Sequence, residues 1–298
     1  MNFNYLVTSD NIENEKSNLV LTKYFVRGHI MDIFKLEPYY SEKVWGYEEW
    51  NLSTHRNGNS IVSGSELKLI DELKNELPIL IKIIQANEKL SVQVHPHDEY
   101  SRKYENDNGK TECWYILEAD ENASLICGIK EGLDKDSFAK VIENGTVEEN
   151  LKRINVKKGD MIYIPSGTVH AIEEGLKLIE VQQSSDVTYR IYDWGRDREM
   201  HIEKSLDVID YAGKNKGGKI EDFKKLETPY FTVEKIDIKD SYKDLVDKNF
   251  HSYTVINGTG VISDGNNVID LNKEETVYIK EGVNYSIEGN LELIKSYV

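Results

Sequence analysis

Two histidines, a carboxylate and an amide carry the clearest chemistry in this chain of 298 residues. In "LSVQVHPHDEY" (residues 90–100), Gln93 and His95 stand two apart in an alternating run, so on a strand they project from one face. Glu112 enters "GKTECWYIL" as a polar residue at the head of an aromatic and aliphatic run. His170 lies in "GDMIYIPSGTVHAI", where Pro165 ends a strand and Ser-Gly-Thr makes a turn able to aim the imidazole inward. Singly, each is ordinary, because polar-out alternation is how half-exposed strands look. Together they would make a mixed nitrogen and oxygen site suited to zinc or another first-row divalent ion, with a position left open for substrate. Ser91 and His97 share the polar face of the first run.

Positioning these groups falls mainly to strands. Short runs rich in Val, Ile and Tyr, broken by Gly, Asn and Asp, dominate: "ILIKIIQA", "ECWYIL", "DMIYIP", "LKLIEVQQ", "YFTVEKI" and "HSYTVI". The pattern predicts a mainly β sandwich or barrel with helical insertions, not alternating βα units. Helices are expected over Ser65–Leu77, over "DKDSFAKVIENG" with "VEENLKRI" as a second helical region, and over "HIEKSLDVIDYA". Val156–Gln183 aligns without gaps on Leu271–Val298, matching Tyr163 and Ile164 to Tyr278 and Ile279, and Gly167 to Gly282. In the second copy His170 becomes Tyr285 and Glu180 becomes Lys295, so the apolar frame stays while the polar chemistry goes. Ala212–Phe223 is Gly- and Lys-rich without periodicity and reads as a linker. The expected organisation is an N-terminal extension of unassigned role (1–33), a catalytic metal-binding domain (34–212), a linker (213–223) and a degenerate C-terminal β domain (224–298).

Composition narrows the class. Charged residues make up 30% and hydrophobic ones 39%, a globular balance. A net charge of −16 argues against nucleic-acid or anionic-membrane partners, though a few local cations could still hold a small anion. Two cysteines make no disulfide framework, and the chain shows neither a signal-peptide core nor a membrane-length apolar run, so a cytoplasmic setting is expected.

"GDMIYIPSGTVHAI" resembles the second conserved motif of cupins, in which Gly, Pro, Gly and His recur at this spacing. More closely, "FKLEPYYSEKVWG", "EEWNLSTHRNGNSIV", "LSVQVHPHDEY", "GKTECWYIL", "IPSGTVHAI" and "EVQQSSDVTYRIYDWGR" resemble the class I mannose-6-phosphate isomerases, particularly the short bacterial forms, over about residues 34 to 210. The resemblance implies a cupin fold of two β-barrel units, the second degenerate. It implies a metal bound by Gln93, His95, Glu112 and His170, one zinc ion per chain, and proton transfer between C2 and C1 of mannose 6-phosphate through an enediol. It also places Lys110, Glu180 and Arg190 at the active site. Glu180 is a candidate base because burial would raise its pKa. Lys110 competes for proton transfer or phosphate, Arg190 suits phosphate or enediolate oxygen, and Ser91 is a candidate substrate contact. The bland reading of Arg190 is a salt bridge to Asp186 or Asp193, and His97 is read as peripheral. Two departures stand out: the family's insertion after Trp45 is missing, and the first 33 residues have no counterpart. The partner implied is a small sugar phosphate bound by a monomer or homodimer. The alternatives are a non-catalytic sugar-phosphate-binding cupin, or a metal-dependent enzyme acting on a different sugar.

Overall fold

Apolar alternation builds three antiparallel sheets in the computed structural model, which describes residues 31–298. The central sheet has seven strands in the order Gly218–Ile220, Met161–Ile164, Glu112–Ala119, Leu176–Gln183, Ile79–Ala86, Gly46–Leu52 and Tyr39–Lys43. Its inner strands read as nearly continuous apolar runs because both faces are covered. Ile81, Ile83, Cys113, Tyr115, Ile179 and Val181 point one way, into a core shared with Phe231 and with Phe34, Phe250, Tyr278 and Ile294 of the nine-stranded sheet. Residues of opposite parity, including Ile84, Trp114, Ile116 and Leu178, point the other way against Leu125 and Ile172 of a five-stranded sheet.

That five-stranded sheet runs Tyr189–Tyr192, Val92–Val94, His170–Ile172, Ser124–Ile129 and Leu151–Asn155. Val92, Val94, Ala171, Tyr189 and Ile191 cover its outer face together with Phe138 and Val208 from the helices Lys135–Glu143 and Ile202–Val208. The alternate residues Gln93 and Arg190 therefore face the gap between the two sheets. The nine-stranded sheet curls around Tyr253, Val255, Leu271, Val277, Ile287 and Leu293, because its long strands Phe250–Ser263 and Asn284–Tyr297 each pair with three others. The architecture is mainly β with two rolled units, as the strand pattern predicts.

The aligned repeat coincides strand for strand. Met161–Ile164 corresponds to Thr276–Lys280, and His170–Ile172 with Leu176–Gln183 corresponds to Asn284–Tyr297. Gly167 and Gly282 both turn with positive φ, 86° and 82°.

Other expectations are corrected. The helix expected over Ser65–Leu77 is only Leu69–Leu73, because Val62 pairs its N–H with Leu67 upstream and Lys74 turns left-handed, with Pro78 close behind. "VEENLKRI" is not helical throughout. After a short 3-10 turn, Leu151–Asn155 is a strand on Ser124–Ile129, where tertiary pairing overrides local propensity. An unexpected helix, Asp98–Tyr104, is capped by His97. Gly218–Ile220, inside the expected linker, pairs with Met161–Ile164, and Ile33–Glu37 pairs with Thr276–Lys280. Residues 1–30 of the expected N-terminal extension lie outside the described residues. No helix among the described residues is long and apolar enough to cross a membrane.

Candidate metal centre

Strand register assembles the site from both sheets. Gln93 is paired with His170 on one side and Arg190 on the other, and directly paired residues share a face. That row looks across the gap at the central sheet, where Trp50, Lys82, Glu180 and Trp114 form a matching row over four strands. Glu112 lies two residues before Trp114 and projects from the same face.

The donor atoms converge. His95 Nδ1 lies 2.8 Å from the Val187 carbonyl and His170 Nδ1 2.8 Å from the Thr168 carbonyl. A carbonyl only accepts, so each Nδ1 carries the proton and each Nε2 presents its lone pair to the gap. His95 Nε2 is 3.5 Å from Glu112 Oε2, and His170 Nε2 is 3.5 Å from Glu112 Oε1. Two ligands of one tetrahedral zinc stand about 3.4 Å apart, so the spacing suits a shared ion. The Gln93 amide lies 3.3 Å from His170 Nε2 and accepts from Ser91 Oγ at 3.2 Å. Turning that amide over presents its oxygen to the same centre.

The electrostatics agree with this donor set. Burial holds His170 down to about 4 and His95 well below its ordinary range, keeping both imidazoles neutral as ligation requires. Burial, and then the charge of Glu180, push Glu112 up. Neither Glu112 oxygen has a well-aligned hydrogen bond, although Lys110 Nζ stands 2.8 Å from Oε2. Lys110 Nζ also lies 3.2 Å from His95 Nε2, so a cation already sits against this fully buried carboxylate and its imidazole neighbours, a donor set whose chemistry fits a divalent ion.

The second carboxylate behaves opposite to expectation. Burial alone would raise Glu180, but Lys110, Lys82 and the Trp114 N–H together outweigh it and hold the group below the usual carboxylate range. Lys82 Nζ is 3.3 Å and Lys110 Nζ 3.6 Å from Glu180 Oε1, while Trp114 Nε1 donates to Oε2 at 3.0 Å. Lys82 also stands 3.6 Å from Glu48 Oε2 and 4.9 Å over the Trp50 ring, whose Nε1 donates to Glu48. Lys82, Glu48 and Trp50 escaped the motif reading. Their available signal was the lone charge in "ILIKIIQA", which a fully buried strand tolerates only when it is paired.

Arg190 makes neither of the salt bridges its bland reading required. Asp193 takes Arg196 and Arg198, and Asp186 accepts from Asn57. Arg190 Nη1 donates to the Glu199 carbonyl at 2.6 Å, and its Nε is buried without a partner. His97 is exposed and accepts from the Tyr100 N–H as a helix cap, outside the cluster.

Comparison with known proteins identifies the family. Residues 51–126 match the family model described as phosphomannose isomerase type I, catalytic domain, and residues 219–298 match mannose-6-phosphate isomerase, cupin domain. The chain is 34% identical to mannose-6-phosphate isomerase ManA of Bacillus subtilis, over 88% of this chain and 98% of that one. The chain belongs to the mannose-6-phosphate isomerase family. A second family member, from Streptococcus mutans, is 37% identical over 84% of this chain and 88% of its own length. The crystal structure of the Bacillus subtilis mannose 6-phosphate isomerase superposes with a TM-score of 0.83 at 29% identity, covering 90% of this chain and all of that one. Lys43 and Gly46 pair directly, so Val44–Trp45 forms a two-residue hairpin turn.

Proposed function

We propose that the chain is a mannose-6-phosphate isomerase, interconverting mannose 6-phosphate and fructose 6-phosphate by proton transfer through an enediol. The observation that carries this reading is the pairing of a neutral two-histidine, one-carboxylate donor set with a second carboxylate held ionised beside it. Gln93, His95, Glu112 and His170 would hold one zinc ion, whose charge would polarise the substrate carbonyl and stabilise the developing enediolate. With Glu112 the single anionic ligand and Gln93 neutral, such a site keeps net positive charge.

The chain's own groups divide the remaining work. Glu180, ionised between two ammonium groups, takes the C2 proton on Oε1. The C–H electron pair becomes the C1–C2 double bond, the carbonyl π pair moves onto the C1 oxygen, and that oxygen takes a proton from the Lys110 ammonium. Glu180 then returns its proton to C1 as the C2 hydroxyl becomes a carbonyl and gives its own proton back to Lys110, which yields the ketose. Lys110 stands near enough to hold a substrate oxygen. Arg190 offers its unpartnered Nε–H to phosphate or enediolate oxygen, and Ser91 lies on the same face. The free thiols of Cys113 and Cys127 support the expected cytoplasmic setting.

A coupled assay for fructose 6-phosphate tests the reading. Turnover is expected in zinc-loaded protein, loss of turnover after chelation, and recovery on adding zinc. Absence of turnover in metal-replete protein would leave the non-catalytic binder in its place. Equal turnover of unphosphorylated mannose would shift the substrate assignment.

A further inference from the structure

Trp114 stands next to Glu180 in the buried row of the central sheet and touches both halves of the site. It is 1% exposed. Its Nε1–H donates to Glu180 Oε2 at 3.0 Å, and its ring meets His170 nearly edge-on at 5.4 Å between centroids. The last torsion of a glutamate is broad and roughly two-fold, so sheet packing alone does not choose which oxygen faces the gap. An indole donates through one N–H and accepts through none, so a fixed Trp114 singles out one oxygen. Oε2 is thereby engaged. Oε1 faces Lys82 and Lys110 and has no aligned hydrogen bond of its own.

We infer that Trp114 is a positioning residue for the isomerisation: it fixes the Glu180 carboxylate so that Oε1 is the oxygen presented to substrate, while its ring backs His170. This rests on the isomerase reading above. The Trp114 N–H is spent on Glu180 and not on a metal ligand, so its loss belongs in kcat and not in KM or metal content.

The test uses full-length, zinc-loaded enzyme. Trp114→Phe, which removes the N–H and keeps an aromatic ring, is expected to lower kcat about tenfold or more, the size expected for a hydrogen bond to a charged group. KM for mannose 6-phosphate and zinc content stay as in the wild type. In a Glu180→Gln background the same substitution is expected to give a much smaller further loss, because the two residues act as one unit. If the phenylalanine variant folds poorly, benzothienylalanine at position 114 keeps the indole shape without the N–H, and the same kcat loss is expected. Unchanged kcat in the benzothienyl protein, or equal losses in both backgrounds, overturns the inference and leaves Trp114 a packing residue. A wild type inactive on mannose 6-phosphate sinks the isomerase reading and this inference together.

Discussion

His170 and Tyr285 hold equivalent places in the two copies of the repeat, with opposite consequences. His170 presents Nε2 to Glu112, whereas the Tyr285 hydroxyl closes an internal network with His251 Nδ1 at 2.8 Å, Tyr253 at 2.7 Å and Asp244 at 3.2 Å. Lys295, at the place of Glu180, fills the remaining space by pairing with Asp244 at 2.7 Å. His170→Ala is therefore expected to abolish bound zinc, measured by elemental analysis, and to abolish turnover, while the circular dichroism spectrum stays native. Tyr285→Phe should leave zinc content unchanged and lower unfolding stability by about 2 to 4 kcal/mol, because three hydrogen-bond partners lose the hydroxyl. Lys82→Met tests the other row. It removes one of the two cations that compensate the buried Glu180, so a loss of about 3 kcal/mol in urea unfolding and a large fall in kcat are expected. Wild-type stability in that variant would mean that Lys110 alone compensates the carboxylate.

Between residue and molecule stand the turns and strands that aim these groups. The Pro165–His170 turn is pinned through Gly167, whose N–H donates to the His95 carbonyl and whose own carbonyl accepts from Asp210. With φ at 86° and a built Cβ falling 3.0 Å from the Val208 carbonyl oxygen, the position admits no side chain without a shift. Gly167→Ala should cost about 1 to 2 kcal/mol and weaken zinc affinity, read by competition with a chromophoric chelator, because the displaced turn carries His170. The strand Phe250–Ser263 gives a pH prediction. Burial, and then Lys295, lower His251 to about 4 in the folded state, against about 6.5 when unfolded. Between those values the unfolded chain binds a proton that the folded one does not, so stability is full above pH 6.5 and falls as pH drops toward 4. Replacing His251 with Gln should flatten that part of the stability curve by one proton's worth, measured by urea unfolding at pH 7, 6 and 5. An unchanged slope would place the acid sensitivity elsewhere.

At the scale of the whole molecule, the core beneath the site is shared by both halves of the chain. Phe34, Ile81, Tyr115 and Val181 pack with Phe231, Phe250, Tyr278 and Ile294, and Ile33–Glu37 completes a sheet built mostly from the C-terminal half. A fragment ending at residue 212 would expose one whole face of the central sheet, so it is expected to show no cooperative thermal transition. A sharp melt in that fragment would mean that the metal-binding half folds alone. The sequence by itself determined the strand-rich class, the repeat and the metal-type residues, because period-two alternation, turn glycines and the His, Glu and Gln motifs are local and survive in a linear string. It could not decide the sign of the Glu180 shift, which depends on two lysines, one of them 98 residues upstream in an otherwise apolar strand. Nor could it show that Leu151–Asn155 is a strand, or that Trp114 holds Glu180. Those outcomes are set by cross-strand register and by the low dielectric of a shared core, which exist only once distant segments have packed.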